Sequence, residues 1–272
     1  LHPVPRGRPS RGGHGRGRGR NAALASCDRG PYHSRGRVPD AVTDATPMVS
    51  HQHRTVFVHV PKTGGQSIET LFLGLLGLDW ESRDRVLMRP NRDARLGPPR
   101  LAHLSAAEYV RLGHLPAELF DAYFVFSFVR DPWDRAASFY AYLGQKDGLT
   151  LSEYVCGPLR RAVESDDWFF RPQIDFLRDD GAMSVDFLGR FERFQADFDR
   201  VCGFLGLPAM PLPRVNASAS RQAAADEPGR WTWTREAIDR VARLYAADVE
   251  ALSYAPPAVG TLHAGIRGKR AA

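Results

Sequence analysis

The chain has 272 residues, enough for one substantial domain or two small ones. Its hydrophobic share of 43% is that of an ordinary globular protein, and no apolar run approaches the ~18 residues that a membrane-spanning helix needs. The net charge of +6 sits in the first stretch: nine of the 37 basic and three of the 31 acidic residues lie in 1–47, which leaves 28 of each in the remainder. A neutral remainder excludes a broad basic groove as the reason for the charge.

Residues 1–47 are rich in Gly, Arg and Pro and nearly empty of large apolar side chains. Such a segment cannot bury enough surface to offset its ordering entropy, so disorder is expected. An RGG-like arm for nucleic acid is one reading of it; a solvated tail, or a start of translation at Met48, are the alternatives. The basic stretch is not followed by an apolar core, so no signal peptide is expected. Cys27, Cys156 and Cys202 form no CxxC pair, which points away from zinc and from a disulfide framework. Thiols in a reducing cytoplasm are the expectation, with no metal and no membrane partner.

Thr55–Val60 is a β-branched and aromatic run ended by Pro61, the pattern of a buried strand. Gly64 and Gly65 break it. From Ser67 to about Leu76, Ile68, Leu71, Phe72 and Leu75 take helical spacing. Residues 79–100 are charged and proline-rich, a loop that approaches substrate. Ser105 and Glu108 form a capping-box pattern for a helix over Leu104–Leu112. Tyr123–Val129 reads as a second buried strand, and Pro132 opens a helix that runs to about Leu143. Val185–Phe191 is a third strand-like run. A helix near Phe194–Leu205 follows, stopped by Gly206 and Pro208. A last helix spans Thr234 to about Leu252, with Ile238, Val241, Leu244, Tyr245 and Val249 on one face. Strands alternating with helices predict an α/β domain, P-loop-like and three-layered, with a central mostly parallel sheet flanked by helices. The domain is expected over 48–256, with a flexible tail at 257–272.

Two strand–loop–helix junctions carry chemistry. In Pro61-Lys62-Thr63-Gly64-Gly65-Gln66-Ser67 the glycines let the backbone turn and approach an anion. The helix N-terminus offers unpaired N–H groups, Lys62 a mobile charge, and Thr63 and Ser67 hydroxyls. A Walker A loop would place its lysine after the glycines, so this is a different phosphate loop. In the second junction Arg130 stands at the C-terminal end of a strand, where open α/β sheets bind ligands. Its planar fork suits a phosphate monoester, and Ser138 on the next helix reaches toward the same anion. The structural alternative for Arg130 is an ion pair with Asp131 or Asp134, and for Arg135 that alternative is preferred. Asp131 is expected to organise the loop and Trp133 to pack.

Together these junctions resemble the sulfotransferase superfamily, nearest to the family that includes heparan sulfate 2-O-sulfotransferase and many bacterial carbohydrate sulfotransferase-like proteins. The resemblance runs from about Val56 to Tyr254 and includes Phe187-Leu188-Gly189-Arg190-Phe191-Glu192. It implies the donor 3'-phosphoadenosine 5'-phosphosulfate (PAPS), with the 5'-phosphosulfate on Lys62, Thr63, Gly64, Gly65, Gln66 and Ser67 and the 3'-phosphate on Arg130 and Ser138. Gln66 departs from the usual Thr. Lys62 would neutralise the leaving phosphate, and the acceptor hydroxyl, on a saccharide or small molecule, needs a base. His103 is preferred over His114 for that role, because relatives place a histidine similarly and because a base must lie in a loop beside the cleft. His59 is read as a packed core residue.

Gln173 is taken as an acceptor contact, and Arg190 and Glu192 as a pair. Asn216, Ser218 and Arg221 form a late polar cluster that could close over the nucleotide; for Asn216 a linker is preferred. The competing functions are a nucleotide-dependent phosphotransferase, and a non-catalytic nucleotide- or RNA-binding protein working through its Arg/Gly tail.

Overall fold

A computed structural model describes residues 49–83, 90–144, 148–213, 215 and 227–261. The Arg/Gly-rich segment, Met48 and the cluster of Asn216, Ser218 and Arg221 lie outside the described residues. Among the described residues, no helix is long and apolar enough to cross a membrane.

The chain opens with β1 (Val49–Ser50) and β2 (Thr55–Val58), then α1 (Gly65–Leu75). Next come α2 (Ala106–Arg111), α3 (Ala117–Ala122), β3 (Phe124–Val129) and α4 (Pro132–Leu143). Two short helices follow, α5 (Leu151–Tyr154) and α6 (Arg160–Glu164), joined by a widened turn that holds Pro158. Then come α7 (Gln173–Leu177), a small hairpin of β4 (Arg178–Asp179) and β5 (Ala182–Met183), and β6 (Phe187–Arg190). The last helices are α8 (Phe194–Leu205), α9 (Arg235–Leu244) and α10 (Ala246–Leu252).

The main sheet has the order β1-β2-β3-β6. β2, β3 and β6 run parallel, and β1 is an antiparallel edge. This is the α/β architecture that the sequence predicts, a mostly parallel sheet flanked by helices. The physical cause is visible in the strands. All of Thr55–Val58 and all but the first residue of Phe124–Val129 are buried, as a sheet covered on both faces requires. Ile68, Phe72 and Leu73 of α1, Tyr109 of α2, and Phe198 and Val201 of α8 join the strands in one apolar core. A second core joins α4 to α9 through Trp133, Phe139, Tyr140, Ile238 and Val241.

Local signals hold well. Ser105 and Glu108 close their capping box, Pro132 takes the first turn of α4, and Gly206 ends α8 in the left-handed conformation. The third strand is shorter than its apolar run. The final helix breaks at Tyr245, whose backbone leaves helical geometry (φ −116°, ψ 35°) and whose hydroxyl donates to the Phe170 carbonyl at 3.0 Å.

The topology positions the site. Parallel neighbours lie about 4.8 Å apart with their C-terminal ends at one edge. Val58 pairs with Ser127, and Val129 with Arg190. The loops that follow β2, β3 and β6 therefore emerge side by side.

Candidate active site

The loop after β2 is wound tightly. Gly64 sits in the left-handed region (φ 88°) as the N-cap of α1, and Lys62 also has positive φ (68°). Lysine in that conformation carries a local cost that the surrounding fold must offset. Thr63 is fully buried and its hydroxyl donates to the Val60 carbonyl at 2.9 Å, so it braces the loop from within. Ser67 is buried in the first turn of α1, and its N–H donates to the Gly64 carbonyl at 3.0 Å. Gln66 is half-buried beside it.

Gly65 is required for a different reason. A Cβ there would stand 2.2 Å from the His59 ring. His59 is buried, stacks on Phe57, and places Nδ1 2.6 Å from Glu69 Oε1. The sequence reading of His59 as a packed residue fits this geometry, but its buried partner on α1 was not foreseen. Glu69 follows Ile68 on the first turns of an amphipathic helix, and an acid beside the apolar stripe was the available signal.

The loop after β3 brings Arg130 to the same edge. Arg130 is 8% exposed, its guanidinium lies 4.3 Å from the Phe191 ring centroid, and its Nε is buried without a hydrogen-bond partner. Nη1 reaches the Lys62 carbonyl at 3.5 Å. Among the described residues no carboxylate pairs with it within 4 Å; Asp131 instead caps α4, accepting from Trp133 N–H at 2.9 Å and Asp134 N–H at 3.0 Å. Burial lowers the Arg130 pKa, opposed by the more distant Asp134, Glu192 and Asp131. Phe191 joins the two junctions, because its ring also lies where a Cβ on Gly64 would come within 2.8 Å. Ser138 is half-buried further along α4 and makes no direct hydrogen bond to Arg130 or to the phosphate loop.

Lys62 shares this environment. Burial first, and Arg130 second, lower its pKa to about 8. Its Nζ lies 4.2 Å from the Tyr142 ring centroid, and among the described residues no carboxylate pairs with it. Among the described residues, the edge therefore gathers two cations and a helix N-terminus without a bonded anion, an arrangement that favours an anionic ligand.

His103 ends a short turn, Leu101–His103, just before α2. Its Nδ1 lies 2.9 Å from the His59 carbonyl. A carbonyl only accepts, so Nδ1 carries the proton and donates. Nε2 is then the lone-pair nitrogen. Burial, aided by His59, Arg100 and Arg135, holds the His103 pKa well below 6.5, so the ring stays neutral near pH 7. His114 instead places Nε2 2.7 Å from the Leu96 carbonyl, in the 90–100 segment.

Three sequence expectations are corrected here. Gln173 is fully buried and clasps the Arg130 backbone: its Oε1 accepts from Arg130 N–H at 2.8 Å and its Nε2 donates to the Arg130 carbonyl at 2.8 Å. Asp248, also fully buried, accepts from Gln173 N–H and Ile174 N–H at 2.9 Å each. Gln173 thus positions Arg130 and is sealed from an acceptor. Arg135 donates to the carbonyls of Pro61 at 3.0 Å and Arg171 at 2.9 Å, so backbone oxygens replace the expected Asp131 or Asp134. Arg190 and Glu192 do not pair. Arg190 donates to the Leu252 carbonyl at 2.6 Å, and Glu192 accepts from Asp131 N–H at 2.7 Å and Tyr254 O–H at 3.1 Å. Trp133 packs as expected, with Nε1 donating to the Ile238 carbonyl at 3.1 Å.

The Sulfotransferase family model matches residues 46–255. The chain belongs to this family. Both junctions, Pro61–Ser67 and Arg130–Ser138, lie inside the matched region, and the family's reaction class is sulfuryl transfer. This sulfotransferase-family chain is also similar to an uncharacterized protein of Archaeoglobus fulgidus, 30% identical over 109 residues, covering 38% of this chain and 83% of that protein. No solved structure matches the chain.

Proposed function

We propose that this sulfotransferase transfers the sulfuryl group of PAPS to an acceptor hydroxyl on a carbohydrate or small molecule. The observation that carries the reading is Arg130: a buried guanidinium with an unpartnered Nε, held beside Lys62 and the N-terminus of α1. A cation buried without a bonded counter-ion is costly unless a ligand supplies the anion. PAPS supplies anions at two separate positions, and the two junctions offer two separate cationic points.

The geometry supports the following roles. Arg130 takes the 3'-phosphate, with Ser138 as a second donor on α4. Lys62, Gly64, Gly65, Gln66 and Ser67 cradle the 5'-phosphosulfate, with Thr63 bracing the turn. His103 accepts the acceptor's proton at Nε2 as the acceptor oxygen bonds to sulfur. The bond from sulfur to the 5'-phosphate oxygen breaks, and Lys62 neutralises the charge that grows there. The products are a sulfate ester and adenosine 3',5'-bisphosphate. Cys156 and Cys202 are free thiols, which agrees with the cytoplasmic location that belongs to this reading.

Calorimetry with adenosine 3',5'-bisphosphate tests the site. Wild type should bind, and Lys62→Ala and Arg130→Ala should each bind weakly. If neither substitution weakens binding, the assignment is wrong. With labelled PAPS and an acceptor screen, His103→Ala should retain nucleotide binding and lose transfer; retained turnover would remove His103 as the base.

A further inference from the structure

The proposed roles leave a group of large aromatic side chains unused. Tyr142, Trp168 and Phe169 form a chain between Lys62 and His103. Tyr142 lies under Lys62 Nζ at 4.2 Å, and the Tyr142 and Phe169 centroids are 6.2 Å apart. Phe169 and Trp168 are 5.3 Å apart, and Trp168 is 5.7 Å from His103.

Their packing does not require them all. Phe169 rests on Phe139 and Phe170 and belongs to the second core. Tyr142 and Trp168 belong to neither core, and Tyr142 is 47% exposed. The strip is nonetheless held firmly. Asp167 Oδ1 accepts from Phe169 N–H at 3.0 Å, and Asp166 pairs with Arg171 at 3.1 Å. Buried Arg135 ties the Arg171 carbonyl at the end of the strip to the Pro61 carbonyl at the start of the phosphate loop. The same side chain therefore fixes the distance between the aromatic strip and the loop that carries Lys62.

We propose that Tyr142, Trp168 and Phe169 form the acceptor platform, and that the acceptor hydroxyl is carried on an uncharged ring with a flat apolar face. This rests on the sulfotransferase reading of the site. A ring laid on Trp168 would carry its edge hydroxyl beside His103, whose ring lies 5.7 Å from that of Trp168. Aromatic faces reward flat apolar partners by offset stacking, which a flexible chain cannot match. Charge argues in the same direction. Residues 160–171 carry Arg160, Arg161 and Arg171 against Glu164, Asp166 and Asp167, an even balance. Two of those acids are already paired with arginines, Glu164 with Arg160 and Asp166 with Arg171. A highly anionic polymer would find no surplus of cations there.

The test uses the full chain saturated with adenosine 3',5'-bisphosphate. Saturation-transfer NMR is run with 2-naphthol, methyl β-glucopyranoside, n-octanol and heparin, and turnover of each is measured with PAPS. One or both ring compounds should bind and be sulfated, and which one does identifies a phenolic or a saccharide acceptor. Trp168→Ala should raise the KM for that ring about 3- to 10-fold, the scale of one aromatic contact, and leave nucleotide affinity unchanged. Trp168→Phe should restore KM to within about twofold of wild type, a rescue that a stacking role predicts. Tyr142→Ala should raise KM, and Tyr142→Phe should not. Preference for n-octanol, or for heparin over both rings, overturns the platform. So does an unchanged KM in Trp168→Ala. Failure of wild type to bind the nucleotide would instead overturn the sulfotransferase reading of the site.

Discussion

Arg130→Met separates a ligand-binding arginine from a structural one. Methionine keeps most of the side-chain volume and can still lie against Phe191, but it removes the charge and the fork. In the ligand-free protein the buried guanidinium has an unsatisfied Nε and only a long 3.5 Å bond to the Lys62 carbonyl. Burial outweighs the attraction of Asp134, Glu192 and Asp131, since the Arg130 pKa is lowered. Folding stability should therefore stay within about 1 kcal/mol of wild type, because the relieved desolvation offsets the lost attraction. Nucleotide binding should suffer far more. Two charge-assisted hydrogen bonds to a phosphate are worth about 3–6 kcal/mol together, a loosening of roughly 10²–10⁴-fold. Urea denaturation and calorimetry with adenosine 3',5'-bisphosphate, run on the same preparations, read the two quantities. A variant that loses several kcal/mol of stability and keeps its nucleotide affinity would show that Arg130 is structural and refute the reasoning.

Gln173→Leu leaves the Arg130 backbone N–H and carbonyl unpaired in a buried setting, and should cost about 2–4 kcal/mol in denaturant unfolding. It should also weaken nucleotide binding, although residue 173 is fully buried and acts only through Arg130. Lys62 loses its charge as pH rises through about 8, so nucleotide affinity should fall by up to about tenfold per pH unit above that value, and Lys62→Met should abolish the dependence. His103 shifts the other quantity. Its folded pKa lies well below 6.5, so below pH 6.5 the unfolded chain takes up a proton that the folded chain refuses. Stability should decline as pH falls through 6.5, and His103→Asn should flatten that decline in urea titrations at pH 5 and 7. Gly65→Ala should destabilise by about 1–3 kcal/mol, because its Cβ would meet the His59 ring; unchanged thermal unfolding would remove the close approach from the explanation.

Much of the fold was legible because its causes are local. Buried strands show as unbroken apolar runs, and Ser105, Pro132 and Gly206 mark helix ends by rules that act within one turn. The first junction was legible for the same reason: two glycines, a helix N-terminus and a lysine all fall within Pro61–Ser67. Gln173, Arg135 and Glu192 were misread because each works across the chain. Gln173 is 43 residues from the backbone it clasps, Arg135 is 74 from Pro61, and Glu192 is 61 from Asp131. A polar residue in a single sequence shows its donors and acceptors but not which distant carbonyl or amide will face them.

The sequence by itself determined the α/β class, the strand–loop–helix junctions and the candidates proposed to bind phosphate, because these depend on residue type and short spacing. The tertiary structure decided which polar residues serve the site and which support it. Parallel pairing set the ends of β2, β3 and β6 side by side. Only then did Phe191 come to lie against both Arg130 and Gly64, and only then did the His59 carbonyl settle which nitrogen of His103 is left with a lone pair.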